Sequence, residues 1–430
     1  MMPMELAAAY RGRADAEEAA AIISACVDCG QCMPYCSTHR LLADDWDGPR
    51  GRVRLMRQHW EGQPPAADLQ THLDRCLTCR ACEATCPEGV RYGRLLDLTR
   101  TAIEPHAARP FKERLLRRAL RAVVPHRARF AALLGLGRTL RRFVPATLRA
   151  KILPPRPAGA WPQPAGARTL LVWPGCVQPA LAPDINAAAA RVLARCGIRL
   201  EAANTGCCGA LSHHMAAPEE ALVQMRRNID AIWPQIEAGA EALVMTASGC
   251  GAHVRDYGAL LAGDPRYAER AARLSAMTRD IAEIVADELQ AGRMPLLPKL
   301  PPAPERRVAF QSPCSLQHAQ RIKGVVERIL KYASYQPTLP AHPFLCCGAA
   351  GSYALLQPEL ADGLRKAKLD TLLSTRPKLI VTANIGCLTH LTEASPLPVK
   401  HWIELLDEAI AAAERAAATS TAQGAVPPPL

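Results

Sequence analysis

Eight of the chain's 17 cysteines stand in two short runs, Cys26, Cys29, Cys32, Cys36 and Cys76, Cys79, Cys82, Cys86, each spaced C-x2-C-x2-C-x3-C. Thiolates at this spacing wrap a [4Fe–4S] cube: three close cysteines take three irons, and the fourth crosses to a second cluster. The pattern therefore assigns Cys26, Cys29, Cys32 and Cys86 to one cluster and Cys36, Cys76, Cys79 and Cys82 to another. Closed zinc sites also use C-x2-C pairs, but four ligands per ion leave no use for a third evenly spaced cysteine and a fourth three residues on, twice over. A disulfide framework fits less well, because so many close cysteines without a secretory segment belong to a reducing compartment. Pro87 follows Cys86 as the run expects, whereas Ser37 follows Cys36. Proline is not a ligand, so the second cluster survives the difference.

A second cysteine set repeats itself. Cys176, the pair Cys207-Cys208 before Gly209, and Cys250 are answered by Cys314, the pair Cys346-Cys347 before Gly348, and Cys387. The near-constant offset implies a duplicated module. The copies end in Cys250-Gly251-Ala252-His253 and Cys387-Leu388-Thr389-His390. Histidine can ligate iron, so each module offers three thiolates and one imidazole for a further iron–sulfur site; the alternatives are two structural pockets of reduced cysteines, or one metallated module. Cys196 has no counterpart and reads as a buried helix cysteine. His213 and His214 are adjacent and read as loop or pocket-rim residues.

The elements that must position these groups follow from the apolar pattern. Helices are expected from Asp15 to Ala25, Val53 to Trp60, Leu69 to Arg75 and Leu95 to Ile103, bracketing the two runs. Apolar runs Thr169–Trp173, Ala242–Thr246, Val308–Phe310 and Leu379–Thr382 read as strands alternating with helices, hence α/β units with parallel sheets. Cys176, Cys250, Cys314 and Cys387 then fall at the carboxyl ends of strands, where open sheets build their sites. The expected fold is multidomain α+β: an N-terminal α-helical dicluster ferredoxin-like domain over 1–104, basic amphipathic helices and a Pro-rich linker over 105–165, duplicated α/β Cys-Cys-Gly modules over 166–300 and 301–415, and a flexible tail over 416–430.

The net charge of +12 is uneven: between Arg109 and Arg156 stand 14 Lys or Arg against one acid, Glu113. A single basic device argues against nucleic-acid binding. Phe111, Leu115, Ala119 and Val123 recur every four positions among arginines, an amphipathic basic helix repeated less cleanly from Phe130 to Leu148. Peripheral contact with an anionic membrane through 109–151 is one reading; a linker helix with solvated cations, or one facing an acidic partner, is the other. Met1 to Ala21 lacks an apolar signal core, and no uninterrupted apolar stretch reaches membrane-spanning length. The expected location is the cytoplasm, peripheral on the cytoplasmic face of the inner membrane.

The duplicated modules resemble the Cys-Cys-Gly modules of heterodisulfide-reductase-like proteins, which end in C-x2-C and can hold a non-cubane [4Fe–4S] cluster; CxxH replaces that ending here. The whole chain, from about Ala21 to Ala409, resembles the iron–sulfur subunits of glycolate oxidases. The resemblance is carried by Leu42 to Arg52, His72 to Arg80, Thr246 to Ala252 and Val381 to Cys387. It implies a subunit of an FAD-dependent complex that oxidises glycolate to glyoxylate, and D-lactate, with electrons leaving towards quinone. A flavin receives two electrons as a hydride and clusters accept one at a time, so two cubes in series provide a stepwise exit. No G-x-G-x-x-G dinucleotide fingerprint follows a strand, so FAD and the substrate pocket are expected on partner subunits. Rival readings are an electron-transfer subunit of another hydroxy-acid or glycerol-3-phosphate dehydrogenase, a heterodisulfide-type thiol redox subunit, and a regulatory iron–sulfur protein.

Overall fold

A computed structural model describes residues 4–64, 67–143, 145, 149, 151–163 and 166–423. The N-terminal unit is helical: α1 (Ala14–Ser24), α2 (Ser37–Leu42), α3 (Pro49–Trp60), α4 (Leu69–Asp74), α5 (Ala81–Ala84) and α6 (Tyr92–Ile103). α1 turns Ala16, Ala19, Ile22 and Ile23 inward at helical spacing, and α6 answers with Leu95, Leu96 and Leu98. Trp60 is fully buried between them, its indole N–H donating to Thr99 Oγ1 at 3.1 Å. α3 starts on Pro49 at a position where proline costs no hydrogen bond. Asp68 caps α4 by accepting the Thr71 N–H at 3.2 Å. Gly51 lets α3 pack on the preceding turn: a Cβ there would meet the Asp45 carbonyl oxygen at 2.2 Å.

The two basic helices form as expected, as α7 (Phe111–Val123) and α8 (Arg127–Thr139), but their cations are not a free field. Arg109 and Arg117 are buried among Asp74, Glu104 and Glu113. Arg127 donates to the carbonyls of Gly175 and Thr205, and Arg138 to those of Leu153 and Ala180. Arg156 pairs with Asp184 and Glu404. These arginines stitch the segment to its neighbours. Part of the weaker second repeat, and Pro164 at the linker's end, lie outside the described residues.

Beyond the linker come two four-stranded sheets, all parallel, with one topology. The first has order β2-β1-β3-β4 from β1 (Arg168–Val172), β2 (Ile198–Ala202), β3 (Leu243–Met245) and β4 (Thr278–Asp280). The second has order β6-β5-β7-β8 from β5 (Arg307–Gln311), β6 (Gln336–Thr338), β7 (Leu379–Thr382) and β8 (Val399–His401). The four strands expected from sequence are the central ones, and the register pairs Val172 with both Ala202 and Val244, and Phe310 with Val381. One apolar core runs through both modules, from Leu170 and Val244 to Val308, Val381 and Trp402. Ser248 Oγ meets Ser315 Oγ at 2.8 Å, and Gly249 N–H reaches Asn384 Oδ1 at 3.2 Å, so segments that follow the central strands of the two copies face each other. The tail departs from expectation. A C-terminal helix runs Trp402–Gln423, through the first half of the supposed flexible segment, because Arg191 and Arg195 of the first module hold Asp407 and Glu414 on it; residues 424–430 lie outside the described residues.

Candidate metal centres

Both cysteine runs curl by the same backbone device. The second residue after the first cysteine and the one after the second cysteine are left-handed in each run: Asp28 and Gly30 at φ 57° and 76°, Thr78 and Arg80 at 52° and 57°. Three of these are not glycine, which is the kind of strain kept at sites that must aim side chains inward. Asp28 is held by Arg50 Nε at 2.7 Å and by Arg54, and Arg80 pairs with Asp256.

The result is two recesses. One is lined by Cys26, Cys29, Cys32 and Cys86; the other by Cys36, Cys76, Cys79 and Cys82. Pro49, Cys82 and Tyr92 line both, so the partition is one side chain thick. The fourth cysteine of each run borders the recess lined by the first three of the other run, and Cys82 borders both recesses. Burial pushes the Cys32 thiol up to about 11 and those of Cys79 and Cys82 well above the ordinary range. A cation in the recess is what would ionise them, and four thiols around one recess are the donor set an iron–sulfur cube takes.

The second recess rests on a buried polar network. Asp47, fully buried, accepts from Arg52 at 3.1 Å, from His72 Nδ1 at 3.0 Å and from Arg75 at 2.8 Å. Arg52, 1% exposed, also donates to Thr38 Oγ1 at 3.1 Å and to the His72 carbonyl at 2.7 Å, and its Nη1 lies 3.9 Å from Cys36 Sγ. The Tyr92 hydroxyl lies 3.8 Å from Cys76 Sγ, and burial foremost, then the Cys76 sulfur, keeps the phenol protonated. Both are N–H or O–H groups aimed at sulfur, the contacts that tune a cluster.

Each Cys-Cys-Gly module gathers four thiols rather than three. Cys176, Cys207, Cys208 and Cys250 form a chain of successive thiol contacts. So do Cys314, Cys346, Cys347 and Cys387, the last two with sulfurs 3.1 Å apart. Cys176 and Cys314 follow the central strands β1 and β5, and Cys250 and Cys387 lie on the helices after β3 and β7, the switch point of each sheet. The glycine of each motif is left-handed, Gly209 at φ 93° and Gly348 at 90°, and a Cβ on Gly348 would meet the Ala361 oxygen at 2.6 Å. The shared contacts with Cys176 and Cys208 hold the Cys207 thiol well below its ordinary range. In the second module the fully buried Lys368 ammonium donates to the Pro343 carbonyl at 3.1 Å and lies in the field of Cys347, Cys346 and Cys387.

The two histidines of the CxxH endings have partners other than the thiols. His390 Nε2 bonds the Ala361 carbonyl at 3.3 Å and its Nδ1 faces Arg365 and Glu393. His253 packs against the rings of His213, His214 and Tyr257. Cys196, as expected, is a buried cysteine, with Met294 Sδ at 3.2 Å.

The second module abuts the ferredoxin unit. Cys79 and Cys314 pack on one apolar cluster of Leu77, Cys346, Tyr353, Ala361 and Leu364. Tyr353 donates to the Arg75 carbonyl at 3.1 Å. One recess of the N-terminal unit and one four-thiol set are therefore neighbours.

Comparison with known proteins agrees with this layout. Residues 22–90 match the 4Fe-4S dicluster domain, and 170–255 and 308–392 each match the cysteine-rich domain called CCG. The chain is 48% identical over 412 residues to the glycolate oxidase iron–sulfur subunit of Escherichia coli K12, covering 95% of this chain and 99% of that protein. The chain belongs to the glycolate oxidase iron–sulfur subunit family. A probable member of the family from Bacillus subtilis 168 is 29% identical over 85% of this chain and 87% of its own length. Lactate utilization protein A of Exiguobacterium is 22% identical over 55% of this chain and 95% of its own. Asp47, Arg52, His72 and Arg75, unassigned from sequence, lie in the segments that carry this family's resemblance; Tyr92 had no such signal.

Proposed function

We propose that the chain is the electron-transfer subunit of a flavin-dependent glycolate oxidase complex, which takes electrons from an FAD on a partner subunit and delivers them towards quinone. Glycolate is oxidised to glyoxylate, and D-lactate is a further substrate. One observation carries this reading: eight cysteines divide into two recesses that share a wall of Cys82, Pro49 and Tyr92. Cys26, Cys29, Cys32 and Cys86 would hold one [4Fe–4S] cluster, and Cys36, Cys76, Cys79 and Cys82 the other. When bound, such clusters accept and release electrons singly, which a flavin reduced by hydride requires.

The chain's own residues set the conditions for that chemistry. Arg52 brings a fixed positive charge and an N–H towards Cys36, Tyr92 a hydroxyl towards Cys76, and buried Leu77 and Val90 wall out water. Cys314, Cys346, Cys347 and Cys387 would extend the set of iron ligands beyond Cys79, and Cys176, Cys207, Cys208 and Cys250 form the equivalent candidate in the first module. Among the described residues no helix is long and apolar enough to cross a membrane. Peripheral contact is supported instead by exposed Phe111, Leu115, Leu133 and Leu136 on α7 and α8, beside exposed Lys112, Arg114 and Arg118.

Cys79→Ser in the anaerobically purified complex should remove one cube and stop glycolate-dependent quinone reduction, while substrate still reduces the flavin. Full quinone reduction with that cluster absent would sink the reading. Iron and sulfide analysis decides the modules: about eight irons per chain means two cubes, and appreciably more means that a Cys-Cys-Gly set is metallated.

A further inference from the structure

His213 and His214 read from sequence as adjacent rim residues with no shared face. In the structure both rings turn to one carboxylate. Asp97 of α6 has its Oδ2 3.8 Å from His213 Nδ1 and its Oδ1 3.9 Å from His214 Nδ1. One atom from each of the three residues lies within 4.8 Å of the others. These separations are too long for hydrogen bonds, and Asp97 Oδ1 and both histidine Nδ1 atoms are buried with no partner. Asp97 is 9% exposed, so the cost of leaving it unbonded is real. Beside them His253, 4% exposed, sets its ring, tilted, 5.2 Å from that of His213 and carries an unpartnered Nε2.

Two imidazoles and a carboxylate around a gap, with a third imidazole alongside, are an N/O ligand set. Ligand atoms at about 2.0–2.1 Å from a tetrahedral zinc stand roughly 3.3 Å from one another, so the three atoms, within 4.8 Å of one another here, need to close by at most about 1.5 Å. We propose that Asp97, His213 and His214, with His253 or water in the fourth place, bind one divalent transition-metal ion, zinc by preference. The site is distinct from the cysteine recesses. It bridges α6 of the ferredoxin unit and the helix Ala210–His214 that follows Cys207-Cys208-Gly209, beside the Arg80–Asp256 ion pair. Its role is to clamp the first module on the cluster domain, as Tyr353 and Ser37 tie down the second.

The test uses the intact complex, purified without oxygen and dialysed against Zn2+ before exhaustive removal of loosely held metal. About one zinc per chain should remain, with an X-ray absorption shell at about 2.0–2.1 Å and none at the roughly 2.3 Å of sulfur. His214→Gln, at a partly exposed position, should lower retained zinc at least roughly tenfold while iron and sulfide stay unchanged; Asp97→Asn should do the same. No retained zinc, a sulfur shell, or undiminished zinc in His214→Gln would each overturn the site. The wild-type spectrum keeps the proposal testable if a variant fails to fold.

Discussion

Ser37 Oγ accepts the backbone N–H of Cys346 at 3.0 Å, across 309 residues of chain. Ser37 stands where the second run has Pro87, immediately after the fourth cysteine, and it is the first residue of α2. Proline is tolerated there by the helix but has no hydroxyl. The departure from the usual run is thus the point at which the cluster domain grips the second Cys-Cys-Gly pair.

Ser37→Pro and Ser37→Ala should therefore behave alike. Each leaves the buried Cys346 N–H without its partner, costing about 1–3 kcal/mol, and lowers Tm with the iron content intact. Paramagnetic resonance of the second cluster should shift as the module loosens. A Tm within error of wild type in both variants would remove the hydroxyl from the account.

The parts legible in sequence and the parts that were not divide along physical lines. Ligand spacing is local chemistry, so the two cysteine runs that border the recesses could be picked out before any fold was known. Central strands β1, β3, β5 and β7 are covered on both faces and read as apolar runs. The outer strands β2, β4, β6 and β8 are short or mixed: Thr278–Asp280 is Thr-Arg-Asp, and Gln336–Thr338 carries Pro337, which only an edge strand accepts. Asp97 lies mid-helix among apolar neighbours and meets His213 only through tertiary packing, so nothing in the spacing announces it. The buried destinations of Arg109 and Arg117 were hidden similarly, because Asp74 lies 35 residues from Arg109.

Tyr92→Phe isolates a hydrogen bond to sulfur. The hydroxyl contact to Cys76 is lost, the ring and its packing stay, and stability should change by no more than about 1.5 kcal/mol. Donors to sulfur favour the reduced, more negative cluster, so the potential of the cluster proposed for Cys36, Cys76, Cys79 and Cys82 should become more negative. Redox titration followed by paramagnetic resonance reads this directly; an unmoved or more positive potential would show that the hydroxyl has another role.

Asp280 makes a pH prediction. It caps the helix Ile281–Gln290, accepting the Ala282 N–H at 2.9 Å, and burial raises its carboxyl to about 7 from 3.8. The folded state therefore holds a proton that the unfolded chain releases near 3.8. Its stabilising contribution is complete below that value and is lost as pH rises through about 7. Asn also caps helices but carries no charge, so Asp280→Asn should raise Tm relative to wild type at pH 8 much more than at pH 4. An equal difference at both pH values would contradict the assignment.

The basic helices give the last prediction, and the structure decides which cations to test. Reversing Arg117 would break its pairs with Asp74 and Glu113 and disturb the fold without reporting on any membrane. Lys112, Arg114 and Arg118 are exposed beside Phe111 and Leu115, so they carry the reading. Each basic residue near an anionic surface contributes about 1 kcal/mol. The triple change to Glu should therefore weaken binding of the complex to phosphatidylserine-containing vesicles by at least roughly 100-fold, and raised salt should weaken wild type in the same direction. Quinone-independent dye reduction in solution should be unaffected, since none of the three approaches a cysteine recess. Unchanged vesicle binding would assign the apolar face of α7 and α8 to a protein partner instead.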